Sequence, residues 1–450
     1  MNRFSRVTQY LLFALIILIP FSVRHVFSST WNFQTGAYSD FTSLSLYLSD
    51  LVLLSIVGIC VVFHQQLKLP KIWRYCVGFI TFWLILELFI QDKAFLPLQA
   101  YFSIRILLLI LLASFIASIK VSREKIAWLF TILSALQALI AIAQFYLQSS
   151  LGLYRFGESH LSPASFGVAK IVSHGTAYIR GYGTFPHANL LSAFLVVGTL
   201  FNLYLIAKSY QIPRGESASR GGFMFSRATY TLIVEYLMLF VSVFGLFISF
   251  SRAGILALGA GLAVSLLYFL YLRHFSHIWT LFIPVGVMLI ISIIVLAPYL
   301  LTRTTISDDS TKERLFYNQV GLKVIENRPI LGIGLGTSVL HMKQYSKQYF
   351  NQDLQPWEIQ PVHNVYLISW VEWGIGAIPF LLLIFYPFFL VFKGKVEKWN
   401  IILISIGAAF LTLFLFDHYF YTIWPTQLLL WVIIGLTLNS FMWNKENSLN

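Results

Sequence analysis

The sequence predicts an all-α, polytopic integral membrane protein with about a dozen transmembrane helices. Three observations carry that reading. Of 450 residues, 58% are hydrophobic and only 11% charged, whereas a soluble domain carries about a quarter charged residues. The apolar residues come in runs about twenty long, each matching the ~30 Å hydrocarbon core of a bilayer. Lys and Arg recur in short clusters between the runs, as the positive-inside rule requires. The net charge of +13 therefore describes loops on one membrane face, and a nucleic-acid partner is rejected.

The first element is an apolar run from Tyr10 behind Met1–Arg6. It looks like a signal peptide, but no small-residue cleavage site follows Pro20–Val23, so a retained signal-anchor helix is expected at 9–27. Further helices are expected at 44–63, 75–91, 100–119, 126–148, 188–207, 230–249, 253–272, 278–300, 363–391, 400–416 and 425–442. Counted from a cytoplasmic N-terminus, the inner connections carry Lys68, Lys71 and Arg74; Lys120, Arg123 and Lys125; Lys208, Arg214, Arg220 and Arg227; Arg273; and Lys393, Lys395 and Lys398. With Arg3, Arg6 and Lys445 these are 17 of the 31 basic residues, against four acids, Glu124, Glu216, Glu397 and Glu446. Both termini thus fall in the cytoplasm, in a multi-pass protein of the cytoplasmic (inner) membrane. Cys60 and Cys76 lie in or beside apolar runs, where free, buried thiols are expected.

The chain reads as a single transmembrane domain over 1–450 with two long outer connections, 149–186 and 301–362. The first holds Arg155, His160, Lys170, His174 and Arg180. In the second, Ser310-Thr311-Lys312-Glu313 has the spacing of a capping box with Ser310 as N-cap. Leu315, Phe316, Val320, Val324 and Ile325 then recur at helical spacing until Pro329, predicting a helix of about four turns on the outer membrane surface. Gly332, Gly334 and Gly336 follow as a flexible or close-packed turn.

Ionisable residues at helix rims are functional candidates, because charge is expensive there. Arg252 lies at a tight outer turn, Ser249-Phe250-Ser251-Arg252-Ala253-Gly254; its plainer account is snorkelling to the interface. Arg180 opens Arg180-Gly-Tyr-Gly-Thr-Phe-Pro-His187-Ala-Asn189, where glycines allow close approach to a ligand and guanidinium suits a phosphate. An exposed loop arginine is the alternative. Arg314, in the first turn of the loop helix, opposes the helix dipole, so it looks for a partner outside or is simply solvated. His363 and Asn364 begin the tenth helix, where a helix N-terminus disfavours imidazolium; a neutral His363 can accept a proton. A packed interfacial histidine is the competing reading. His341 and His187 are candidate neighbours. Neither supplies metal-ligand spacing such as H-E-x-x-H, Gly332–Gly336 lacks the third glycine and βαβ context of a dinucleotide loop, and no Walker A sequence occurs.

Together these motifs resemble the O-antigen ligase and O-antigen polymerase superfamily of bacterial membrane glycosyltransferases. The resemblance rests on Arg180–Asn189, on Ser251-Arg252, on Glu313-Arg314 through Asn327-Arg328-Pro329 to Gly336, and on His363-Asn364 followed by Gly374. It spans about 180–380. One departure is that Gly374-Ile-Gly376-Ala377 stands where the ligase pattern usually reads Gly-x-x-Gly, which leaves polymerase open. The resemblance implies a GT-C-like fold with a large, partly helical outer loop. It also implies metal-independent transfer, without a cofactor, of a glycan from an undecaprenyl-diphosphate carrier to an acceptor hydroxyl at the outer face. Arg180, Arg252 and Arg314 would bind the donor diphosphate, His363 would be catalytic, and Asn364, His187, Asn189 and Ser251 would support them. The acceptor is a glycan, lipid or protein, so an O-antigen ligase, a polysaccharide polymerase and a protein O-oligosaccharyltransferase all fit. From other classes, a lipid-linked oligosaccharide flippase would use midspan acids such as Glu87 and Glu235, and a non-catalytic scaffold would not need His363, Arg252 or Arg180.

Overall fold

A computed structural model describes residues 3–63, 67, 69–210, 227–301, 309–394 and 397–449. Lys68, Arg214, Glu216, Arg220 and Lys395 of the charge pattern lie outside them. Every expected apolar run is helical: α1 (Arg3–Leu18), α2 (Leu48–Val62), α3 (Lys71–Ile90), α4 (Leu96–Ser118), α5 (Arg123–Leu147), α6 (Ala188–Ser209), α7 (Arg227–Ile248), α8 (Arg252–Tyr271) and α9 (Phe275–Leu300). The second long connection holds α10 (Asp309–Asn327) and α11 (Ser338–Phe350). Then come α12 (Val365–Trp373), α13 (Ala377–Phe392), α14 (Lys398–Phe416), the single turn α15 (Tyr419–Thr422) and α16 (Trp424–Leu449). Among the described residues, ten stretches are long and apolar enough to cross a membrane, α12 and α13 counting as one. α1 and α2 have 16 and 15 residues, short of the ~17–25 a span needs. Among the described residues, the expected dozen therefore stands as ten helices long enough to span and two shorter apolar ones.

Three sequence expectations are corrected. α1 stops at Leu18, and the chain beyond Pro20 leaves the helix as an extended segment. There β1 (Arg24–Val26) pairs antiparallel with β2 (Ser45–Tyr47). The expected helix 363–391 is broken into α12 and α13 by a 3-10 turn at Gly374–Gly376. Gly374 has φ +53°, and a Cβ there would lie 2.1 Å from the Ile330 carbonyl oxygen, so the break is where the chain leaving α10 packs onto it. Ser310 is not an N-cap, because α10 has already begun at Asp309; the helix has 19 residues, about five turns and not four.

The turn after α10 is close-packed and not flexible. Gly332, Gly334 and Gly336 all have positive φ, and a Cβ would fall 2.3 Å from the Glu372 carbonyl, 2.3 Å from Gln99 Nε2 and 2.1 Å from the Phe102 ring, respectively. Buried carboxylates grip its backbone: Gly336 N–H donates to Glu372 Oε2 at 2.8 Å, and Leu335 N–H donates to Glu87 Oε2 at 3.3 Å.

α6 is the hub. It is apolar on every side, 94% of its span is buried, and it packs against α5, α7, α8 and α14. Small residues permit these close crossings: a Cβ on Gly198 would overlap the Ser134 hydroxyl, and one on Gly245 would sit 2.5 Å from Ala138 Cβ. In the first long connection, β3 (Lys170–Ser173) and β4 (Thr176–Ile179) form a hairpin. Its two-residue turn, His174-Gly175, has φ of 49° and 78°, the positive pair that a tight hairpin turn requires.

Candidate functional site at the loop-bearing end of the bundle

The loop from Arg180 to His187 is held in place from below by α5. Gln144 and Gln137 are seven residues apart and therefore share one helix face. Gln144 Oε1 accepts from the N–H groups of Tyr182 and Gly183 at 3.0 and 2.9 Å, and Gln137 Oε1 accepts from Thr184 N–H at 2.8 Å. Gly183 has φ +62°, and a Cβ there would lie 2.4 Å from Gln137 Oε1, so only glycine fits. Gln144 Nε2 donates to Glu158 at 2.8 Å, which links the start of the long connection to its end. Thr184 Oγ1 donates to the Pro20 carbonyl at 2.7 Å, stapling the segment after α1 onto the same loop.

The same loop meets the α7–α8 turn. Gly181 N–H donates to the Ile248 carbonyl at 3.0 Å, and Arg180 Nε donates to the Ser249 carbonyl at 2.6 Å. Phe250 makes the turn with φ +47°, its ring buried against Phe145. Ser251 caps α8 through Gly254 N–H at 3.2 Å. Arg252 begins α8 and donates to Thr311 Oγ1 on α10 at 3.0 Å. Two motifs 70 residues apart in sequence thus form one structural unit, with the first turn of α10 against it.

Above this unit lies a cavity of about 770 Å³. Arg180, His187, Asn189, Arg314 and His363 line it, together with Lys170, Asp40, Glu313, Tyr317, Asp417 and His418. Five expected site residues therefore meet there. Arg252 is not in the lining and sits at the side, against α10. Ser251 and Asn364 face helix ends: Asn364 caps α12 through Leu367 N–H at 3.0 Å. Among the other histidines, His341 is on α11, with Nδ1 3.1 Å from the Thr337 carbonyl and its ring against Phe95. Glu87 and Glu235 are not in the lining either. Glu87 supports the glycine turn, and Glu235 accepts from Ser209 Oγ at 2.8 Å.

Asp417, at the end of α14, organises the polar wall. Its Oδ2 accepts from Asn189 Nδ2 at 2.8 Å and pairs with Arg314 Nη2 at 3.4 Å, while Oδ1 accepts from His418 N–H at 3.0 Å. Arg314 Nη1 also donates to the Phe416 carbonyl at 2.7 Å. The cation that opposes its own helix dipole thus finds the carbonyl end of another helix. Arg180 Nη2 donates to Asn189 Oδ1 at 2.5 Å, so Arg180, Asn189, Asp417 and Arg314 form one chain of charge-assisted bonds. Burial alone would raise the Asp417 carboxyl, but Arg314 and the nearby histidines outweigh it and hold it below the usual carboxylate range.

His363 is sandwiched between Tyr317, nearly parallel at 5.6 Å, and His418, edge-on at 4.7 Å. His363 Nδ1 is buried without a hydrogen-bond partner. His418 Nδ1 lies 2.7 Å from Thr422 Oγ1, and His187 Nδ1 accepts from Asn189 N–H at 3.1 Å. Burial lowers all three imidazoles: His363 to about 3, helped by His418 and Arg314; His187 to about 3, helped by Arg180; and His418 to about 4, against the pull of Asp417. Ligand atoms of His363, Asp417 and His418 lie within 4.8 Å of one another, a spacing that a metal could use. Asp417 Oδ2 is engaged by Asn189 and Arg314, and its Oδ1 by the His418 N–H.

Sequence reasoning missed Asp417, His418, Tyr317 and Asp40, and named Lys170 only as one of the basic residues of the first long connection. Asp417-His418 had a visible signal, two ionisable residues between two apolar runs, whereas Asp40 had none. Residues 237–382 match a family described as O-antigen ligase, a stretch running from α7 into α13 that includes Arg252, Arg314 and His363. No curated protein matches the chain. That stretch is similar to the O-antigen ligase family, and the likeness covers those residues alone.

Proposed function

We propose that the protein is a GT-C-like membrane glycosyltransferase of the cytoplasmic membrane. In this reading it transfers a glycan, without a metal, from an undecaprenyl-diphosphate carrier to an acceptor hydroxyl at the outer face, as an O-antigen ligase-like enzyme of surface polysaccharide biosynthesis. The observation that supports this best is the cavity that joins the cations Arg180 and Arg314 to the neutral imidazole of His363. The leaving group is a diphosphate, whose developing negative charge needs fixed positive charge close by. Arg180 and Arg314 supply it from inside the cavity; Arg252, on α8 beside Thr311, receives the diphosphate from the side. Asn189 and Asp417 hold the two arginines in register. His363 takes the proton of the acceptor hydroxyl or orients that hydroxyl by accepting its hydrogen bond.

An imidazole held near 3 is a weak base. An arriving diphosphate changes that: it offsets Arg314, one of the charges that depress His363, and adds negative charge beside the ring. Donor binding therefore raises the basicity of His363 at the moment the acceptor hydroxyl must lose its proton.

The deciding test is reconstitution in liposomes with an undecaprenyl-diphosphate glycan and candidate acceptors. Transfer should release the free carrier diphosphate, persist in excess EDTA, and fall by about 10²–10⁴-fold in His363→Ala. Release that requires added divalent cation would sink the metal-free mechanism, and no release with any acceptor would sink the transferase. A ladder of products would identify a polymerase, and a single addition a ligase or protein O-oligosaccharyltransferase.

A further inference from the structure

A second cavity, of about 270 Å³, adjoins the first and shares Asp40, Phe41, Pro186 and Ile423 with it. Most of its walls come from the segment between α1 and α2 and from the start of the first long connection, and Pro186, Thr422 and Ile423 complete them. The two stretches are in tight contact: a Cβ on Gly157 would lie 2.6 Å from Ser22 N. The cavity is thus a formed joint between two loops, and not an open dent.

Its chemistry is hydroxylic and acidic. Ser22 is one of its lining residues, and the Ser22 hydroxyl is buried without a hydrogen-bond partner. Asp40 accepts from Arg24 Nη2 at 2.6 Å and from Tyr38 OH at 2.9 Å, both at Oδ1, so its other oxygen keeps acceptor capacity. Glu158 adds negative charge, its oxygens already taken by the N–H groups of Leu151 and Leu153 and by Gln144. Phe41 supplies an aromatic wall and touches His418 edge-on at 5.4 Å, and His418 in turn touches His363. Two carboxylates face one guanidinium here, whereas the cavity next door sets Lys170, Arg180 and Arg314 against Asp40, Glu313 and Asp417.

We infer that this side cavity is a saccharide subsite, which grips the hydroxyls of an uncharged sugar through Asp40 and Ser22 and rejects sugars bearing a carboxylate or phosphate. Rejection follows from like-charge repulsion in a partly dehydrated pocket. The inference rests on the transferase reading for its purpose, but not for its binding chemistry. The sugar belongs to the donor or to the acceptor, and kinetics tell them apart.

The experiment uses the full-length protein in nanodiscs and saturation-transfer NMR with two probes, a neutral disaccharide and its uronic-acid counterpart. Wild type should bind the neutral probe and not the uronate. Asp40→Asn should weaken the neutral probe by about ten-fold, the scale of a lost hydrogen bond to a charged group, and admit the uronate. Ser159→Trp, which fills the cavity, should abolish the signal of the neutral probe, while His363→Ala should leave it unchanged. In the transfer assay, Asp40→Asn should raise KM for one substrate only, the donor or the acceptor, and so identify which sugar occupies the subsite. Equal binding of the two probes by wild type, no binding of either, or unchanged neutral binding in both cavity variants would overturn the inference. Asp40-dependent binding without any transfer would instead remove the transferase reading and leave the subsite standing.

Discussion

Asp417 connects more of the site than any residue singled out from the sequence, because its single carboxylate holds Asn189 and Arg314 and flanks His418. Around it are three imidazoles kept neutral by burial, and this has consequences in two pH windows. The unfolded histidines bind protons near 6.5 and the folded ones near 3 to 4, so the unfolded state takes up more protons as pH falls. The stability they contribute is complete above about 6.5 and is lost progressively between there and about 3. Asp417 adds a loss of its own below about 4, where its unfolded carboxyl protonates first. The melting temperature in detergent should therefore drop steadily from pH 6.5 to pH 4, and His187→Gln should flatten that slope. A melting temperature constant over this range would contradict the buried, neutral assignment. Catalysis provides the second window. If donor binding raises His363 basicity, the acid limb of kcat should lie at higher pH than that of kcat/KM, since the two report the bound and free enzyme. Coincident limbs would mean that His363 positions the acceptor without taking its proton.

At the scale of elements, the site depends on polar residues inside helices that read as plain membrane spans. Gln137 and Gln144 of α5 fix the Arg180 loop. Glu87 of α3 and Glu372 of α12 fix the glycine turn that follows α10. Gln144→Leu preserves the volume of the side chain but strands the N–H groups of Tyr182 and Gly183, each costing about 1–3 kcal/mol if left unsatisfied. Transfer should fall by at least about ten-fold, with Arg180 displaced from Ser249. Tyr146→Leu, two positions along and exposed, is the control. Equal activity of the two variants would remove α5 from the account. These residues escape a sequence reading because an isolated Gln or Glu in an apolar run has no period and no motif; only its backbone partner, tens or hundreds of residues away, reveals its task.

At the scale of the whole molecule, all the connections that build the cavity lie at one end of the bundle, and the basic clusters at Arg123, Lys208 and Lys398 lie at the other, where Arg123 pairs with Glu397 and Lys208 with Glu124. Under the positive-inside rule such a division is expected to put the basic end in the cytoplasm. In a chain with Cys60 and Cys76 replaced, Phe166→Cys, 83% exposed in the first long connection, should react with an impermeant thiol reagent on intact cells. Lys120→Cys should react only after permeabilisation. The reverse pattern would invert the topology and turn the cavity toward the cytoplasm.

Much of this was legible in the sequence because it depends on composition. Hydrophobic runs of bilayer length must become helices, whatever they pack against, since every backbone N–H and C=O needs a partner inside the lipid. Arg180, Arg314 and His363 stood out in the sequence too, as charge and turn chemistry at helix ends, and the three line one cavity. Tertiary structure alone decided the rest: that α1 stops at Leu18 and frees a segment for the Asp40 cavity, that the tenth predicted helix breaks at Gly374, and that Arg252 stands beside the cavity instead of in it. Each of these depends on which backbones come into contact across long stretches of chain, information that hydropathy and local spacing do not contain.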